Sequence, residues 1–185
     1  MNLEMEIAFD ADGINGSGSN QCDGILAHAD AATVTITTAG NVTFADVLEF
    51  EEDVETSNAL ENNCCYLTTP AIKKRLKQIT EFGLVTAEIG DNAHGPAIWT
   101  TTMVGNTGES QGMVNGYKAV SSNQAAANTM IFGSFDWYYY AIFDGAEITV
   151  TEDAGLAQRR SVQFCCNIDI DGKPVKGEAF SHNVT

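Results

Sequence analysis

The chain has 185 residues, with 25 acids against 9 bases and a formal net charge of −16. A chain of this length buries roughly 70% of its unfolded surface, so its core needs neither a disulfide nor a metal. The acidic balance repels nucleic acid, and no apolar run approaches the ~18–20 residues that span a bilayer, so no membrane partner is expected.

The opening "MNLEMEIAFDADG" is acidic where a secretory signal is basic and then apolar, which predicts a product retained in the cytoplasm of the cell that makes it. Residues 1–9 read as the end of an element, and Asp10–Gly24 as a loop of glycine and small polar residues. That loop holds neither G-x-G-x-x-G nor a Walker lysine, and Asp12 and Asp23 would repel a phosphate. "ATVTITT", Ala32–Thr38, alternates like a short strand. "TFADVLEFEEDVE", Thr43–Glu55, predicts a helix capped by Thr43 with Asp46 three residues on. Phe44, Val47, Leu48 and Val54 share one side of it, and Asp46, Glu49, Glu51, Glu52, Asp53 and Glu55 decorate the rest.

"CCYLTTP" predicts a buried strand running into a helix with Thr69 as N-cap, Pro70 first and Gly83 as the stop. Ile72, Leu76 and Ile79 form its inner face, which leaves Lys73, Lys74, Arg75 and Lys77 outside. These are four of the nine bases in the chain. Glycines break the following stretch, and "MVNGYKAVSS" reads as a strand bent at Gly116. From Met130 the pattern is strand-rich: "YYYAIF", "EITVTE", "RRSVQFCCNIDI" and "PVKGEAF". Helices and strands first, strands last, predict an α+β protein.

Few motifs suggest chemistry. Asn167–Glu178, "NIDIDGKPVKGE", matches the twelve-residue calcium loop apart from Asn167 in the leading place. Its flanks are β-type, so a hairpin with Asp171 and Gly172 at the tip is the expectation instead. The five cysteines, Cys22, Cys64, Cys65, Cys165 and Cys166, are odd in number and lack C-x-x-C, which predicts reduced thiols. His28, His94 and His182 have no catalytic flanking signature. A cysteine enzyme using Cys65 and His94 stays open as an alternative. No catalytic, cofactor-binding or metal residue is assigned. "IFGSFDWYYY", Ile131–Tyr140, holds six of the sixteen aromatic rings. Consecutive strand residues alternate faces, so it is expected to be a buried seam rather than a binding platform.

The order of these pieces carries a resemblance. "AFDADGINGSGSNQCDGIL", "YLTTPAIKKRLKQITEFG", "GYKAVSSNQ", "MIFGSFDWYYYAIFDGAEI" and "RRSVQFCCNIDIDGKPVKGEAFSHNVT" resemble, in sequence order, segments of tailed-phage major capsid proteins of the Hong Kong 97 fold. The match runs from about Ala8 to Phe180, with Ser134 in place of the common Asp. The resemblance implies an A-domain at residues 25–135, facing the capsomer centre, and a partial P-domain from residues 1–24 and 136–185. It implies a phage or prophage structural protein in the virion capsid, without catalysis or cofactor, that tiles into pentamers and hexamers around DNA and occupies the host bacterial cytoplasm before assembly. Family members carry an N-terminal arm, an extended loop and a spine helix before this region. The chain is therefore expected to be a C-terminal portion, monomeric or weakly associated by itself. Lys73, Lys74, Arg75 and Lys77 are expected to face an acidic surface of a neighbouring copy, with Asp46, Glu49, Glu52 and Asp53 as candidates. An encapsulin-like compartment shell is the alternative on the same fold, and an unrelated cysteine or metal enzyme the alternative off it.

Overall fold

A computed structural model describes residues 2–36, 38, 40–60, 63–80, 83–84, 97–100, 111–145, 147–151, 159 and 162–184. The fold is α+β. Among the described residues the helices are α1 (Asn2–Asn15), α2 (Phe44–Thr56) and α3 (Pro70–Leu76). A mixed seven-stranded sheet has the order β1-β13-β8-β2-β7-β6-β5. Its strands are β1 (Ala32–Thr35), β2 (Cys64–Thr68), β5 (Trp99–Thr100), β6 (Gln111–Val114), β7 (Tyr117–Ser121), β8 (Met130–Ser134) and β13 (Phe180–Val184).

The sheet is built around β2, whose Cys64, Tyr66 and Thr68 point into the core. Tyr66 pairs with Phe132 of β8, their rings 4.4 Å apart, and Tyr117 closes edge-on over Phe132 at 5.1 Å. Helix α2 lies against β1, β8 and β13 through Val47, Phe50 and Val54. Its start is the expected capping box: Thr43 accepts from the Asp46 amide, and Asp46 accepts from the Thr43 amide at 2.7 Å. The inner face differs from expectation at two positions. Phe50 is buried, and Leu48 is exposed. Val47, Phe50 and Val54 follow the i, i+3, i+7 stripe, which Leu48 leaves.

Several local expectations are corrected. Helix α1 continues through Asp10–Gly13 to Asn15, so the glycine loop begins at Gly16. At this end the Asn15 side chain donates to the Ala11 carbonyl within the helix and to the Gln124 carbonyl, and accepts from the Ala126 amide, tying the helix end to that loop. Helix α3 ends at Leu76 with Lys77 as C-cap, well before Gly83. Ile79 is buried as expected, but in β3 (Ile79–Thr80), which pairs with β4 (Gly83–Leu84) and receives the Ile98 amide. The β-branched Ile79–Thr80 pair favours that extended ladder over another helical turn. Thr69 occupies the N-cap position, yet its side chain makes no cap bond. Gly116 does not bend a strand. Asn115 and Gly116, both at positive φ, close a two-residue hairpin between β6 and β7.

The Asp171–Gly172 hairpin is also corrected. Both residues lie inside β12 (Ile170–Pro174), which pairs with β9 (Tyr138–Ile142), while β10 (Glu147–Thr151) pairs with β11 (Gln163–Asn167). The two pairs follow one another along the chain as an antiparallel ribbon, joined where the Phe143 amide donates to the Asp169 carbonyl. Gly172 is wanted for closeness, not for a turn: a Cβ there would lie 2.8 Å from the Tyr140 ring.

Candidate functional site

Among the described residues, no group of three His, Cys, Asp or Glu side chains is placed to hold a metal ion. His28 lies between Asp23, at 2.9 Å, and Asp30, at 3.7 Å. It packs so closely on Gly177 that a Cβ there would clash with the imidazole. His182 is buried in β13, and burial lowers its pKa. His94 lies outside the described residues. Burial pushes the Cys65 thiol up to about 11, the opposite of what a nucleophile at neutral pH requires.

The two charged helices are less free than their sequences imply. On α3, Lys74 and Lys77 are exposed. Lys73 instead lies 5.2 Å from the Trp99 ring centre, and Arg75 donates to the Val42 carbonyl at 3.4 Å. On α2, Asp46 serves the cap, Asp53 accepts from the Ser181 hydroxyl at 3.0 Å, and Glu51 accepts from Tyr66 and Asn115. Glu49, Glu52 and Glu55 remain exposed.

The aromatic segment divides. Ile131 and Phe132 are core, and Phe135, Trp137 and Tyr138 pack against it, but Tyr139 and Tyr140 are exposed. The seam thus ends where the ribbon begins. Tyr138 and Tyr140 lie on one face, 4.8 Å apart, and tie the ribbon to the N-terminal region. Tyr140 donates to the Phe9 carbonyl at 3.0 Å, and Tyr138 to the Asp23 carbonyl at 3.1 Å. Gly13 permits this approach, since a Cβ on it would collide with the Tyr140 hydroxyl. Burial, with Cys22 and Asp10 nearby, pushes the Tyr140 phenol up to about 12.

Beyond that anchor the ribbon carries an unpartnered apolar face. The register sets Ile148 opposite Cys166 and Val150 opposite Phe164, while Glu147, Thr149, Thr151, Gln163, Cys165 and Asn167 share the other side. Ile148 is 56% exposed and Phe164 64%, with Ile142 and Phe143 at 69% and 72%. A two-stranded ribbon is marginal by itself in water and gains stability when one face is covered. Sequence reasoning missed this surface, although the alternation of "EITVT" and of "QFC" signals it.

A cleft of about 330 Å³ opens at the foot of the ribbon, between α1, β7 and β9. Asp10, Ile25, Leu67, Phe135, Tyr138 and Tyr140 are among its lining residues.

A family model described as "Phage capsid family" matches residues 1–183. Among solved structures, the capsid of a native GTA particle aligns with a TM-score of 0.64 at 14% identity, over 98% of this chain and 62% of that one. A Gordonia phage Cozz chain aligns with a TM-score of 0.64 at 17% identity, over 99% and 60%. A Mycobacterium phage Che8 chain gives 0.55 at 12% identity, over 83% and 53%. The chain thus spans about three fifths or less of the length of these solved chains. No curated protein gives a significant match.

Proposed function

The chain belongs to the phage capsid family, and on that premise we propose that it forms the shell-building part of a major capsid subunit of the Hong Kong 97 fold. Copies tile into pentamers and hexamers that enclose DNA without reading its sequence. The role is structural rather than catalytic, exercised in the virion after synthesis in the host cytoplasm. The seven-stranded sheet and α2 form the lobe toward the capsomer centre, and because β13 lies in that sheet between β1 and β8 this lobe departs from the expected bounds of residues 25–135, which left residues 180–184 to the peripheral lobe. Residues 1–24 and the ribbon after residue 136 form the peripheral lobe. The basic helix α3 of one copy faces an acidic surface of the next, through Lys74 and Lys77 in particular.

The observation that carries this reading is the exposed apolar face of the ribbon at Ile148, Val150 and Phe164, a surface that suits burial against another subunit. The test replaces Ile148 and Phe164 by Asp and follows association by sedimentation. Association is expected to be lost while the thermal unfolding of the separate chain stays within about 0.5 kcal/mol of the parent, as for exposed positions. Unchanged association would exclude the ribbon as an interface.

A further inference from the structure

Asparagine followed by glycine occurs twice in the chain, at Asn15–Gly16 and at Asn115–Gly116. This dipeptide can react with itself, because glycine has no side chain to keep its amide nitrogen away from the asparagine carboxamide carbon. The glycine nitrogen bonds to Cγ, and its proton leaves with Nδ2 as ammonia. Water then opens the cyclic imide at one carbonyl or the other, giving aspartate or isoaspartate. Ile14 and Val114, the residues before each asparagine, are both β-branched, so the two sites are near-equivalent in the unfolded chain. The fold gives them different fates.

At Asn15 the reacting groups are held. Its Nδ2 donates to the Ala11 and Gln124 carbonyls, and its Oδ1 accepts from the Ala126 amide. The Gly16 nitrogen donates to the Asp12 carbonyl at 2.8 Å, and Gly16 is buried against the Cys22 carbonyl. Asn115 and Gly116, by contrast, are both exposed in the turn between β6 and β7. A Cβ built on Gly116 would meet nothing within 4 Å. Among the described residues, the Asn115 carboxamide is bonded to Glu51 alone, at 2.8 and 3.1 Å from its two oxygens.

We propose that Asn115 is a site of spontaneous deamidation, and that the product carboxylate releases the β6–β7 turn from α2. Glu51 is half-buried and already accepts from the Tyr66 hydroxyl at 2.6 Å. Conversion of Asn115 replaces the donor that Glu51 holds by a second acceptor of like charge. Glu55 adds its own negative charge on that side. In the isoaspartate product the main chain also gains a methylene inside a two-residue turn, whose length sets Val114 opposite Tyr117. The chain cannot reverse the change by itself, so the altered fraction grows with the age of the protein.

The test incubates the native chain in mildly alkaline buffer and follows the Asn15 and Asn115 peptides by mass spectrometry. Asn115 is expected to convert at least about tenfold faster than Asn15, the factor that two further hydrogen bonds to be broken represent. After denaturation the two rates are expected to converge. A native Asn115 that converts no faster than Asn15 would overturn the site. The consequence is read separately by urea unfolding. Asn115→Asp is expected to lower the folding equilibrium constant by about tenfold or more, the loss of a hydrogen bond to a charged group. Asn115→Gly keeps the turn and removes the donor without adding charge, so its loss is expected to be smaller. Glu51→Gln in the Asn115→Asp chain is expected to recover part of the difference, because an amide again faces a carboxylate. An Asn115→Asp chain as stable as the parent, or one that Glu51→Gln does not rescue, would overturn the release.

Discussion

The Tyr66 hydroxyl donates to the Glu51 carboxylate across 2.6 Å, joining the innermost strand of the sheet to the acidic helix above it. Asn115, at the β6–β7 turn, donates to the same carboxylate at 2.8 Å. One acid thus holds three elements together. Tyr66→Phe keeps the ring packing and removes the donor, so a loss of about 1.5–3 kcal/mol is expected, the range for hydrogen bonds to charged groups. Urea unfolding at neutral pH measures it.

The same carboxylate gives stability a pH dependence. Burial raises the Glu51 pKa above its usual 4.5, outweighing the hydrogen bonds from Tyr66 and Asn115. The folded state therefore holds this proton longer than the unfolded one, and the associated stability is lost as pH rises from 4.5 through the raised value. His182 works in the opposite direction. Burial lowers its pKa below 6.5, so its contribution is complete above 6.5 and is lost as pH falls through the lowered value. The two slopes oppose each other in mildly acidic solution. Glu51→Gln is expected to remove the falling slope and His182→Gln the rising one, each read as the difference from the parent in unfolding free energy against pH.

Gly133 in β8 sits where a Cβ would lie 2.2 Å from the Ala179 carbonyl oxygen and 2.8 Å from the Phe180 ring. Both neighbours are buried, and the oxygen belongs to the backbone, so little can give way. Gly133→Ala is expected to cost about 1–3 kcal/mol, as overpacking in a core does. A Gly145→Ala control, with open space at that position, should change little. A pair of denaturant titrations compares them.

None of the five cysteines is in a disulfide, but their thiols are not equivalent. Cys22 and Cys64 are buried, and burial raises the pKa of both Cys22 and Cys65. Cys165 and Cys166 are half-buried on the ribbon. Brief iodoacetamide treatment of the native chain at neutral pH is expected to label Cys165 and Cys166 first, with the others labelled after denaturation. Mass spectrometry of the digests assigns the sites. Protection of Cys166 upon association would further mark the apolar face of the ribbon as covered.

What the sequence made legible was what neighbouring residues decide among themselves. The capping box at Thr43 and Asp46, the Pro70 helix start and the inward alternation of β2 are all local, and all were readable. The errors arose where distant partners intervene. Asp171–Gly172 has the composition of a hairpin tip, but Tyr138–Ile142, some thirty residues earlier, takes it as a strand partner. Asn115–Gly116 carries the same kind of signal, and there the turn forms because β6 and β7 are adjacent in both chain and sheet. The candidate charges divided for a related reason. Lys74 and Lys77 cannot be told from Lys73 and Arg75 until Trp99 and the Val42 carbonyl arrive from elsewhere. The Asp10 cleft was hidden because a loop was expected in place of the last turns of α1.

The strand order sets a schedule for folding. Strand β13 lies between β1 and β8, parallel to the first and antiparallel to the second. Residues 32–35 are synthesised well before residues 180–184, the strand that satisfies their inner edge. Until it arrives, Val34 and the underside of α2 face a gap, and β8 presents an open edge able to pair with another nascent chain. On a polysome, where identical chains emerge side by side, that interval favours exchange of β13 between copies. Slower synthesis of the final segment would lengthen the interval, and removal of only those five residues would leave β1 with no place in the sheet.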